Sequence, residues 1–65
     1  MAYFICLTPG FSDMLVSAPS QESAAEAFAF AAVAEKETVE CEEVDPTPAF
    51  LKACQALGTF LEVTP

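Results

Sequence analysis

Histidine, arginine and tryptophan are absent from this chain, and lysine occurs only at Lys36 and Lys52. Without histidine there can be no Ser-His-Asp or Cys-His catalytic arrangement and no imidazole-based zinc site. The two glycines, Gly10 and Gly58, stand far apart, so no phosphate-cradling loop of the P-loop or dinucleotide type is present. Two lysines do not make a basic patch, which excludes direct contact with nucleic acid. The three cysteines, Cys6, Cys41 and Cys54, contain no CxxC pair and resemble neither a zinc ribbon nor a redox motif. An odd number cannot all pair within one chain, and their apolar neighbours predict small buried hydrophobes in a reducing compartment. No apolar run approaches the roughly 18 residues of a membrane span, and no positively charged leader opens the chain. The expectation is a cytoplasmic protein without a membrane partner.

What is present is apolar bulk and negative charge. Sixty-five residues allow one domain, and 54% of them are apolar, six being phenylalanine. A chain this short buries only about 60% of its extended surface. Each fully buried Phe contributes roughly 1.5–3 kcal/mol, which is how so thin a core suffices. Ten carboxylates against two lysines set the net charge at -8. Such a molecule is repelled by nucleic acid and anionic membrane and attracted to basic protein surfaces.

Along the chain, the apolar run Ala2 to Leu7 (AYFICL) reads as a strand. Pro9-Gly10 marks a turn, and Ser12 to Ser17 returns antiparallel with Thr8 to Phe11 as the hairpin connection; a plain loop is the other reading. Ser20 is placed to cap a helix from Gln21 to about Ala34, with Glu22 in its first turn. Ala24, Phe28 and Ala31 form its apolar stripe, widened by Ala25 and Ala32. Phe30 and Val33 lie off that stripe, either wrapping around its edge or forming an exposed patch. Thr47 with Pro48 starts a second helix, Ala49 to Leu57, whose stripe is Phe50, Cys54 and Leu57; Gly58 ends it. Thr59 to Thr64 reads as a final strand stopped by Pro65.

Between the helices lies EKETVECEEVD, Glu35 to Asp45, with six acidic residues and one lysine. Thr38, Val39, Cys41 and Val44 are strand formers threaded through the charge. Alternation turns Val39 and Cys41 inward and Thr38, Glu40 and Glu42 outward. It also turns Glu43 inward, so an irregularity near Glu42–Glu43 is expected, with Val44 returning to the core. The predicted order is β-β-α-β-α-β: an α+β two-layer sandwich, a small three- or four-stranded mixed sheet with two helices on one face. Right-handed connections then make helix-joined strands parallel where they are adjacent. Phe4, Cys6 and Phe60 are expected on the helix-free face, an apolar surface for a second subunit or partner.

Glu40 and Glu42 lie about 6.6 Å apart along one strand face, a spacing compatible with paired-carboxylate chemistry. A chain this short can hardly enclose a sugar-sized cleft, so no enzymatic activity is expected. Calcium through Glu40, Glu42, Glu43 and Asp45 lacks the 12-residue loop of the calcium-binding helix pair. No metal and no cofactor is expected. The remaining readings are a solvated face that keeps an apolar protein soluble, and a phosphate-like field. The field would consist of Glu35, Glu37, Glu40, Glu42, Glu43 and Asp45, extended by Glu22 and Glu26.

In its length, its scarcity of basic residues and its EKETVECEEVD segment beside a compact α/β pattern, the chain resembles small acidic phage and mobile-element proteins. That class includes anti-CRISPR inhibitors that act as DNA mimics. The resemblance covers general character rather than a shared motif. It implies an inhibitor, without catalysis or cofactor, that occupies the duplex-holding surface of a CRISPR effector or another basic nucleic-acid-binding protein. The alternative is a small structural or adaptor protein, a homodimer through its apolar sheet face, whose acidic run serves solubility.

Overall fold

A computed structural model describes residues 1–63. Strand β1 spans Ala2–Thr8, β2 Phe11–Ala18, β3 Glu40–Val44 and β4 Phe60–Glu62; helix α1 spans Gln21–Ala32 and α2 Pro48–Leu57. The α+β class, the mixed four-stranded sheet and the order β-β-α-β-α-β agree with expectation. Of the final strand read from the sequence, Thr64 and its stop at Pro65 lie outside the described residues.

The hairpin is real and longer than the sequence suggested. Thr8 pairs with Phe11, leaving Pro9 and Gly10 as a two-residue connection. Proline's ring sets its own φ, and Gly10 takes φ 83°, which an L side chain resists. The register slips between Cys6↔Met14 and Thr8↔Phe11, so β2 carries one extra residue there. That bulge keeps both Phe11 and Met14 on the side of α1. Phe11 meets the Phe28 ring edge-on, with centroids 5.7 Å apart.

The sheet order is β3-β1-β2-β4. β1 pairs antiparallel with both β2 and β3, and β2 pairs parallel with β4. Strands β2, β3 and β4 therefore all run the same way, but only β2 and β4 are neighbours. The two strands joined by α1 are separated by β1, and those joined by α2 form opposite edges of the sheet.

Alternation along the strands sorts the core. Phe4, Cys6, Val16 and Ala18 are buried with Ala24 and Phe28 of α1. Met14, Cys41, Leu61 and Val63 pack around that cluster. Phe4 and Cys6 thus lie beneath a helix, which corrects the expectation of a helix-free apolar face built on them. On α1 the buried residues are Ala24, Phe28 and Ala29, whereas Ala31 is exposed. The helix ends two residues earlier than the composition suggested, at a left-handed Val33, and the outcome for Phe30 and Val33 is an exposed patch. α2 contributes one buried residue, Cys54. It lies beside Leu15 and Ile5, which alternate with the α1-facing residues. Val44, Tyr3 and Leu7 share that alternate parity.

Candidate protein-docking surface

The acidic stretch divides into a turn and a strand. Lys36–Thr38 forms one 3₁₀ turn, closed by the Thr38 and Val39 amides donating to the carbonyls of Glu35 and Lys36. The Thr38 hydroxyl also donates to the Glu35 carbonyl at 2.8 Å and meets the Thr8 hydroxyl at 3.0 Å. This anchors the entry to β3 against the far end of β1. Only Glu40–Val44 is strand.

β3 pairs with β1 without interruption, from Leu7↔Glu40 to Tyr3↔Val44. The irregularity expected at Glu42–Glu43 is absent, and Val44 does not return to the core beneath α1. Glu43 does follow Cys41 onto the side of α1, opposite Phe4. It stays exposed because β3 is the sheet's edge, where a carboxylate can turn past the strand into water. Regular alternation then costs nothing, and no bulge is required.

Cys6 and Cys41 face each other across β1 and β3 and are joined by a disulfide. This corrects the reading of all three cysteines as unpaired filler, and it removes the support that free thiols lent to a reducing compartment. Cys54 alone remains a free, buried thiol among the described residues.

The predicted acidic residues separate into distinct groups. Glu40 and Glu42 project from one side of β3, beside Ile5 and Leu7 of β1. Glu43 lies on the other side of the strand, and Asp45 just past its end. Glu35 and Glu37 flank the 3₁₀ turn. Glu22 and Glu26, one turn apart on α1, both reach Lys36, whose Nζ lies 3.6 and 3.5 Å from their carboxylates. Both ion pairs among the described residues use that lysine, so the α1 carboxylates are partly neutralised within the molecule. All eight predicted residues are exposed. They do not form one continuous field.

A groove of about 590 Å³ runs along the β3 edge, lined by Ile5, Leu7, Gln21 and Glu40 to Val44. Sequence reasoning missed Ile5, Leu7 and Gln21 as members of this surface. The signal for the first two was in hand, since AYFICL is apolar at every position and one parity must face away from α1. Gln21 carried no signal, because its contact with β3 spans 20 residues. Among the described residues, no group of three His, Cys, Asp or Glu side chains is placed to hold a metal ion. No helix there is long and apolar enough to cross a membrane. No family model, curated protein or solved structure matches the chain.

Proposed function

We propose that this protein is a binding module that docks a basic partner on its β1–β3 surface and competes with nucleic acid for that partner's lysines and arginines. The observation that carries the reading is the pairing of Glu40 and Glu42 on one side of an edge strand, unbridged by either ion pair and bordered by Ile5 and Leu7. Carboxylates supply steering and register, and the apolar strip supplies area removed from water. This is a mixed interface, narrower than a phosphate-like field over the whole face. A basic duplex-holding channel, such as that of a CRISPR effector, is the partner class that the resemblance suggests.

The test is capture from lysate at low and high salt with the wild-type protein and the Glu40→Lys/Glu42→Lys variant. The wild type should retain basic proteins that duplex DNA displaces, and the variant should lose them while keeping its circular dichroism spectrum. Retention by the double variant equal to that of the wild type sinks the proposal.

A homodimer is the second reading, favoured by Phe30 and Val33, which are 88% and 94% exposed at the end of α1. It predicts a sedimentation mass twice that of the chain, reverting to monomer in Phe30→Ser.

A further inference from the structure

We propose that β3 receives its partner by strand addition: an extended, lysine- or arginine-rich segment pairs with the outer edge of β3 as a fifth strand. The inference rests on the acidic-docking reading and adds the backbone to it. β3 is an edge strand, with β1 on one side and no strand on the other among the described residues. Cys6 and Cys41 have Cα atoms 4.2 Å apart, the close spacing of a non-hydrogen-bonded antiparallel pair. The N–H and C=O of Cys41 consequently point away from β1, and those of Glu43, two residues on, do the same. One independent contact agrees: the Gln21 side-chain amide donates to the Cys41 carbonyl at 3.0 Å, occupying the place an incoming amide would take. Gln21 therefore acts as a removable plug on an otherwise open edge.

Charge decides the occupant. A strand laid along this edge would set its side chains opposite Glu40 and Glu42 on one side and Glu43 on the other. A second copy pairing β3 with β3 would bring six carboxylates together, which cross-strand repulsion disfavours. A segment alternating Lys or Arg with small residues sets all its basic side chains on one side, opposite Glu40 and Glu42, where their aliphatic stems cover Ile5 and Leu7, and leaves small residues opposite Glu43.

An eight-residue peptide alternating lysine and threonine, and the same peptide N-methylated at every second backbone amide, separate the two claims. Methylation keeps the charge but removes the ladder donors. The parent peptide should bind, more weakly as salt is raised, and the methylated one about tenfold more weakly, as expected for losing two hydrogen bonds. Equal binding of the two peptides overturns strand addition and leaves acidic docking standing. Binding by neither overturns both. On the protein side, proline at 43 removes an amide that β1 does not use, a substitution edge strands tolerate. Glu43→Pro should weaken the parent peptide well beyond Glu43→Gln, which loses the charge alone. Equal weakening by the two variants also overturns strand addition, and the peptide pair decides the matter if the proline variant does not fold.

Discussion

Val33 and Gly58 end the two helices in the same left-handed conformation, at φ 53° and 77°. Only one of them suits it. A β-branched residue there brings its Cβ against the backbone at about 1–2 kcal/mol, whereas glycine avoids the clash. The Val33 side chain gains almost nothing in return, being 94% exposed. Val33→Gly is therefore expected to raise stability by about 0.5–1 kcal/mol, read as a higher urea midpoint, since glycine's greater unfolded-state entropy returns part of the gain. The converse at position 58 isolates the backbone cost, because a Cβ there meets no atom within 4 Å. Gly58→Val should lower stability by roughly 1–2 kcal/mol. If Val33→Gly destabilises instead, the valine has a packing role that its exposure does not reveal.

At the scale of elements, helix starts and the β1–β3 pairing carry separable contributions. The Ser20 hydroxyl accepts from the Ser23 amide at 3.2 Å, and the Thr47 hydroxyl from the Phe50 amide at 3.1 Å. Thr47→Ala should cost about 1 kcal/mol in chemical denaturation. β3 needs more help than either helix, since its outward positions are carboxylates and its buried contribution is small. The Cys6–Cys41 link spans 35 residues and supplies that help by restricting the unfolded chain. Reduction, or Cys6→Ala with Cys41→Ala, should lower stability by about 2–4 kcal/mol and shift the thermal midpoint down. Amide exchange in β3 should rise more than in β2. A midpoint indifferent to reductant would show that pairing with β1 alone holds the strand. Phe28→Ala strikes the centre of the core and should cost about 3–5 kcal/mol, enough to unfold so small a domain.

For the molecule as a whole, the net charge of -8 dominates. Lys36 relieves it locally at Glu22 and Glu26, through pairs too exposed to be worth more than about 1 kcal/mol. The rest is unrelieved repulsion, so the melting temperature should rise between low and roughly 0.5 M salt as screening shortens its range. A melting temperature that falls with salt would mean that the surface pairs outweigh the repulsion. Binding should respond in the opposite sense and weaken over the same range. Stability and affinity measured side by side thus separate the two roles of the same carboxylates.

What the chain determined by itself is local. Pro9-Gly10 dictated the turn, Ser20 and Thr47-Pro48 the helix starts, Gly58 a helix end, and an apolar run or an alternating one the strands, because each signal acts within a few residues of backbone. Tertiary structure decided which strand became the edge, which parity of AYFICL met α1, that Cys41 found Cys6, and that Lys36 reached α1. Those outcomes depend on contacts between residues far apart in sequence, where the energy lies in packing and burial that no short window contains. The candidate surface divides the same way: Glu40 and Glu42 were legible from alternation. The open backbone beside them and the Gln21 amide upon it exist only once β3 has taken its place outside β1.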